Sequence, residues 1–356
     1  MAEPQTAAQT AEARPFEIGI LTFGELTKDP VSGALPSPRQ RARETIEQAR
    51  LADEVGLDVF GVGEHHRTDF VGSAPAILLA AAAERTERIR LTSAVTVLSS
   101  EDPVRVWEQF ATIDLLSAGR AEIIAGRGSY TESFPLFGYD LADYADLFRE
   151  KLDLLLAIRE QNPLTWKGKF RAPLDDADIA PRADGLPIWV GVGGSAASAI
   201  STGRRGLPMA MALLLGPLTQ HEQTAALYRQ AAREAGHDPA AISINVHGYV
   251  GRTSQEARET MYPYFAQGML ENNHQRGEGM LLSRSAFDAQ ASPGSGLLVG
   301  SPAELIEKLL AYHEFYGLNR VLVQLGFGGM PQKAHLEAIE RLGTEVAPVV
   351  RREIAS

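Results

Sequence analysis

The sequence predicts an α/β fold of the (β/α)8 TIM-barrel type. Eight short apolar runs with strand character recur along the 356 residues, each followed by a stretch of helical spacing. The chain is long enough for one such barrel with insertions, and it shows neither a domain boundary nor a short internal repeat. Residues 15–356 therefore read as a single barrel domain and residues 1–14 as a disordered tail.

The first strand is FEIGILTF, Phe16 to Phe23. A turn-rich loop leads to a helix from Arg39 to Gly56, where Ile46, Ala49, Leu51, Ala52 and Val55 share a face. Val59 to Gly63 is the second strand and runs straight into Glu64, His65, His66 and Arg67. The next helix, APAILLAAAAERTERI, carries Pro75 in its first turn and is apolar nearly all round. An outer barrel helix should show a polar face, so its apolar surface predicts a homo-oligomer. The third strand is RLTSAVTVL, Arg90 to Leu98, followed by a helix from Pro103 stopped by Gly119. Ala121 to Ala125 is the fourth strand, continuing into GRGSYTESFPLFGY. A long helix from Asp140 to Glu160 places Leu141, Tyr144, Leu147, Phe148, Leu152 and Leu155 inward. A loop over residues 161–187 precedes the fifth strand, PIWVGVGG, with Ser195 capping the helix behind it.

Met209 to Leu215 and Ile242 to Val250 are the sixth and seventh strands, each with its helix. Glu271 to Gly296 is polar and poorly periodic, and reads as a mobile lid before the last barrel helix and strand. Ser301 and Pro302 open a helix, Arg320 to Leu325 is the eighth strand, and an amphipathic helix covers about 332–352.

Composition removes several function classes. There is no cysteine, so disulfides, thiolate catalysis and Cys-ligated metal are excluded. The net charge of −11 disfavours nucleic acid and anionic membrane as partners. No apolar run reaches the roughly 18 residues of a membrane span, and the first residues lack the pattern of a secretory signal. A cytoplasmic enzyme is the expectation.

Parallel barrels do their chemistry at the carboxyl ends of the strands. Four ends stand out: Glu64-His65-His66, the small pair Ser93 and Ala94, Gly126-Arg127-Gly128-Ser129, and Gly193-Gly194-Ser195. The last combines glycines, a capping hydroxyl and a helix N-terminus, a combination that attracts anions and equally describes an ordinary Gly-rich turn. Arg127 between two glycines presents a fork suited to phosphate, unless it pairs with Glu122 or Glu132. GVGGSA matches G-x-G-x-x-A, but the next strand, MAMALLLG, lacks the acid that a dinucleotide site requires. No P-loop is present, and no strand end offers the Lys of a barrel aldolase. The Glu-His-His cluster suits proton transfer by a histidine oriented by Glu64, or a structural ion pair. Adjacent strand residues point apart, which argues against a shared metal.

GEHHRTDF, TSAVTVLSSEDPVRVWEQFATIDLLSAGRAEIIAGRGSY and IWVGVGGSAAS with GRRGLPMA occur in this order along the chain. In these stretches the chain resembles the bacterial luciferase-like flavin-dependent monooxygenases over about residues 16–352. The resemblance implies a (β/α)8 barrel with FMN at the strand ends and His65 assisting the reduced flavin and its oxygen chemistry. It places Ser93 and Ala94 at a non-proline cis peptide under the flavin ring. Gly126, Arg127, Gly193, Gly194, Ser195 and Ser198 fall at the phosphate site. The chain departs from luciferase at Gly194, where luciferase has glutamate. The resemblance further implies molecular oxygen, a small organic substrate and a separate NAD(P)H-dependent flavin reductase as partners. A deazaflavin in place of FMN, and flavin binding without turnover, are the alternatives it leaves open.

Overall fold

The computed structural model describes residues 15–128, 130–275 and 282–356. The expected N-terminal tail and residues 276–281 of the expected lid lie outside them. Eight parallel staves close into a barrel: β1 (Glu17–Thr22), β2 (Val59–Val62), β3 (Arg90–Ser93) continued by β4 (Thr96–Val97), β5 (Ala121–Gly126), β8 (Ile188–Val192), β9 (Met209–Leu213), β10 (Ile242–Val250) and β12 (Arg320–Gln324). β12 pairs back onto β1 with Glu17 opposite Arg320, so no edge is left in this sheet's path around the barrel. The TIM-barrel expectation is met.

Period-two alternation sorts each strand into an inner and an outer row. On β12 the inner row is Arg320, Leu322 and Gln324, whereas Val321 and Val323 face the helical layer. Leu21, Val59, Ala94, Ile124, Trp189 and Leu322 fill the barrel's waist. Its floor is ionic. Arg320, 1% exposed at its side chain, reaches Glu17 at 2.6 Å and Glu122 at 2.6 Å, and stacks over Trp189.

The helices form where caps and apolar faces coincide. α1 (Pro38–Glu54) starts at Ser37, whose hydroxyl accepts from the Gln40 N–H, and α3 (Pro103–Ser117) at Asp102, whose carboxylate accepts from the Val104 N–H. α2 (Pro75–Ala83) keeps Leu79 buried but leaves Ile77 67% exposed, beside α3 with Leu115 at 64%. α5 (Tyr144–Glu160), α6 (Ala196–Arg204), α7 (Glu222–Glu234), α8 (Ser254–Gln275) and α10 (Pro302–Tyr316) follow the strands as expected.

Several expectations need correction. The third strand is broken into β3 and β4, and the cis bond between them is Ala94–Val95, one bond beyond the expected place. Leu141 is exposed: it sits in a 3-10 turn, Leu141–Asp143, out of phase with α5. A short helix, α4 (Ser133–Phe137), precedes that turn. The 161–187 loop contains a hairpin of β6 (Leu164–Trp166) and β7 (Leu174–Ala177), too short and polar to show alternation. The expected lid includes a helix, α9 (Arg284–Gln290), and β11 (Leu298–Gly300) adds a short strand beside β10. The last helix is split into α11 (Gln332–Arg341) and α12 (Ala347–Ala355) by a π-type stretch at Leu342–Val346. Gly343 lies there; a Cβ on it would be 2.3 Å from Val55 Cγ2, so the glycine permits close contact with α1's end. Among the described residues no helix is long and apolar enough to cross a membrane.

Candidate active site

The carboxyl ends of the strands surround a cavity of about 450 Å³. That volume lies within the range of ligand sites. An open depression along α1, lined by Arg39, Arg43, Glu44 and Glu47, gathers groups from one helix face only.

β2 delivers the first cluster to the mouth. Glu64 Oε1 is 2.7 Å from His66 Nε2, and Glu64 Oε2 accepts the Val97 N–H at 2.9 Å. The carboxylate therefore orients His66 and ties the β2 loop to β4; it does not orient His65. Residues two apart share a side of an extended chain, which is why Glu64 and His66 meet. The Glu64 hydrogen bond holds the His66 pKa above its ordinary value. His65 points the other way, into the cavity. Its ring stacks on Phe23 at 4.6 Å, lies 4.7 Å from Phe70 and meets Tyr130 edge-on at 4.7 Å. Its carboxylate neighbour is Glu132, with Nδ1 and Oε1 3.6 Å apart. Burial pushes the Glu132 carboxyl up, but the His65 ring and nearby backbone N–H groups outweigh it and hold it below its ordinary value.

β3 contributes backbone more than side chain. Ser93 is fully buried, and its hydroxyl donates to Ile124 O at 3.3 Å and accepts the Ile124 N–H at 3.2 Å. It sutures β3 to β5. Ala94 and Val95, the residues of the cis bond, line the cavity. Gly126 is required here, since a Cβ on it would stand 2.5 Å from Val95 Cγ2.

β5 and β8 build the anion side. Arg127 donates to Ser198 Oγ at 3.0 Å, with its guanidinium 5.4 Å from the Tyr144 ring centre. Tyr144 is fixed in turn by donating to Gly128 O at 2.7 Å. Arg127 has no carboxylate partner among the described residues. The expected competitor Glu122 is spent on Arg320 and Arg90 at the floor, and Glu132 faces His65. Ser195 caps α6, accepting the Ser198 N–H at 3.4 Å, and Gly194 has φ +91°, a conformation suited to glycine. A Cβ on Gly193 would meet nothing within 4 Å, so open space lies in front of the turn. A cation with no counter-ion among the described residues, a helix N-terminus and open space in front of its turn fit a phosphate group.

The structure thus brings Glu64, His65, Ala94, Gly126, Arg127 and Gly193 to one cavity wall, with Ser198 reached through Arg127. Gly194 and Ser195 lie just behind, in the turn that starts α6. Sequence reasoning missed the opposite side. Glu25, Asn245, His247 and Gln324 also line the cavity. The available signal was the pattern N-x-H inside the apolar seventh strand, which period two puts on one face. Among the described residues no three His, Asp or Glu side chains converge as metal ligands.

A family model described as luciferase-like monooxygenase matches residues 16–318. The N-acetyl-S-alkylcysteine monooxygenase of Bacillus subtilis is 26% identical over 297 residues, 79% of this chain and 86% of that protein. The monooxygenase RslO1 of Streptomyces bottropensis superposes with a TM-score of 0.80 at 25% identity, covering 94% of this chain and 99% of that one. The oxygenating constituent of 3,6-diketocamphane monooxygenase from Pseudomonas putida, solved with FMN, shares the fold: TM-score 0.77, 22% identity, 94% and 98% coverage. The similar proteins also include F420-dependent oxidoreductases. With a family match running through most of the barrel, this chain belongs to the luciferase-like monooxygenases.

Proposed function

We propose that this protein is an FMN-dependent monooxygenase that oxygenates a small organic substrate. A separate NAD(P)H-dependent reductase would supply the reduced flavin. The observation that carries the reading is the sharing of one cavity by His65 and Arg127, which has no carboxylate partner among the described residues.

Arg127 and Ser198 would hold the phosphate, with the N–H groups at the start of α6 adding the field of a helix N-terminus. Reduced FMN, when bound, supplies the electrons that activate molecular oxygen. His65 is positioned by Phe23, Phe70 and Tyr130, and its Nδ1 faces Glu132. That leaves Nε2 as the nitrogen to hold or pass a proton in the cavity. Glu64 acts at one remove, by fixing His66 and β4. The aromatic wall of Phe23, Phe70 and Phe327 keeps water from the reacting centre. Residues 15–356 form a single barrel domain, and the described parts of the expected lid are residues 271–275 and 282–296. The exposed Ile77 and Leu115 on α2 and α3 form the contact of a homo-oligomer, and the enzyme works in the cytoplasm.

The test is oxygen uptake by the protein with FMN, NADH and a flavin reductase, against a panel of small organic compounds. Substrate-dependent uptake with an oxygenated product is the expected result. FMN binding with no turnover of any compound would make the protein a flavin carrier. Failure to bind FMN alongside tight binding of F420 would make it a deazaflavin oxidoreductase.

A further inference from the structure

The cavity has a second polar side, facing Arg127 across the mouth and unused by the mechanism above. Glu25 follows β1 and is 8% exposed. Its Oε1 accepts from Gln324 Nε2 at 2.8 Å and its Oε2 from the Gly328 N–H at 2.7 Å. Gly328 has φ +74°, and a Cβ there would fall 1.8 Å from Tyr264 O, so that backbone donor is locked in place. From β10 come Asn245 and His247, two residues apart and therefore on one face. His247 is 5% exposed, packed 4.4 Å from the Phe327 ring and 5.5 Å from Phe265. Gly268 on α8 makes room for that wall, since a Cβ on it would lie 2.5 Å from Phe327 Cε1.

Among the described residues, two buried atoms on this side have no hydrogen-bond partner: Asn245 Oδ1 and His247 Nδ1. Native structures rarely leave such atoms unpaired, and an occupant is one reason they do. Asn245 Oδ1 is an acceptor. The Glu25 oxygens each have a second lone pair beyond the bond described. Burial lowers the His247 pKa to about 4, so its ring is neutral near pH 7, and Nδ1 accepts in the tautomer that carries its proton on Nε2. Burial also raises the Glu25 pKa to about 7. No Lys or Arg lines this side; Arg127, across the mouth, is the cation among the cavity's described walls.

We infer that Glu25, Asn245 and His247 form the substrate-recognition side of the cavity, built for an uncharged molecule that donates hydrogen bonds from O–H or N–H and packs an apolar body on Phe327, Met211 and Leu214. The inference rests on the oxygenase reading for what happens to that molecule, but the recognition itself needs no flavin. A carboxylate would bring lone pairs to the acceptors Asn245 Oδ1 and His247 Nδ1, and a like charge to Glu25 wherever Glu25 is ionised, so it should be rejected. An ether of the same body would fit but leave the acceptors unpaired.

The test uses three probes of one size, 4-propylphenol, 4-propylanisole and 4-propylbenzoate, titrated by ligand-observed NMR into the protein with and without FMN. The phenol should bind about tenfold tighter than the anisole, the effect of roughly one buried hydrogen bond, and the benzoate weakest. Asn245→Leu combined with His247→Phe should bring the phenol to parity with the anisole while anisole binding persists, which also reports that the variant is folded. If that variant does not fold, the ranking on the native protein decides. Equal binding of phenol and anisole, or preference for the benzoate, overturns the inference. If FMN binds but the probes bind alike, the inference fails and the flavin reading stands. If the phenol preference appears without any FMN binding, the flavin reading fails and the recognition side stands.

Discussion

At the amino ends of the strands, Arg320 lies between Glu17 and Glu122, at 2.6 Å from each, and Arg90 reaches Glu122 from β3 at 3.3 Å. At the carboxyl ends of the same strands, Arg127 meets the Ser198 hydroxyl and the Tyr144 ring, and among the described residues Asn245 Oδ1 and His247 Nδ1 have no hydrogen-bond partner. Both ends bury polar groups inside one barrel, and β12 runs between them from Arg320 to Gln324. The floor's charges are mutually satisfied, which is what a structural role demands. The mouth's groups are held rigidly by neighbours yet left short of partners. Charge pairing separates the two ends: the floor's Arg320 is matched by two carboxylates, and Arg127 at the mouth by none among the described residues.

Substitutions at the two ends should therefore fail differently. His65→Ala should slow turnover by ~10²–10⁴-fold with flavin binding preserved, as expected for removal of a proton-transfer group. Rapid-quench rates per bound flavin check this, and a normal rate per bound flavin would make His65 structural. Arg320→Ala should do the reverse. It strands Glu17 and Glu122 in the barrel, which costs about 3–5 kcal/mol of stability in urea unfolding. Flavin affinity of the folded fraction should be unchanged, and a selective loss of flavin binding would join the floor to the site.

Glu25→Gln sharpens the contrast through pH. Burial raises the Glu25 pKa to about 7, against the Gly328 N–H and the Arg41 charge that oppose it, with Glu271 and Asp69 reinforcing it. A folded pKa above the unfolded one means that the folded state holds the extra proton between about pH 4.5 and 7. Glu25's stabilising contribution is thus full below about pH 4.5 and is lost as pH rises through about 7. Chemical denaturation of native and Glu25→Gln protein across this window should show the variant gaining relative stability as pH rises. A constant difference would mean that Glu25 does not titrate there. His247 and His335, lowered to about 4 and about 3 by burial, are common to both proteins and cancel in the comparison.

The barrel was legible because each stave is an apolar run bounded by Gly, Pro or a helix cap, and Ser195 and Ser301 cap their helices as expected. The β6–β7 hairpin was not, since LDDA carries no alternation. Arg127 and His65 were legible as charged or titratable residues placed directly after strands. The partner of Glu64 was misread: neighbours in sequence looked like partners, while the extended chain brings together residues two apart. Ser93 fell at the expected strand end, but its hydroxyl turns to Ile124 rather than the cavity. Glu25, Asn245 and His247 stayed hidden because a lone polar residue in a strand says nothing about which side of the barrel it faces until the register is known.

The central claim is that Arg127 and the start of α6 receive a flavin phosphate. It is tested most directly by titrating native and Arg127→Ala protein with FMN and with riboflavin, which lacks the phosphate. Native protein should favour FMN by roughly 2–5 kcal/mol, and that preference should collapse in Arg127→Ala while riboflavin affinity stays the same. An Arg127→Ala protein that keeps its preference for FMN, or loses riboflavin and FMN binding alike, would contradict it.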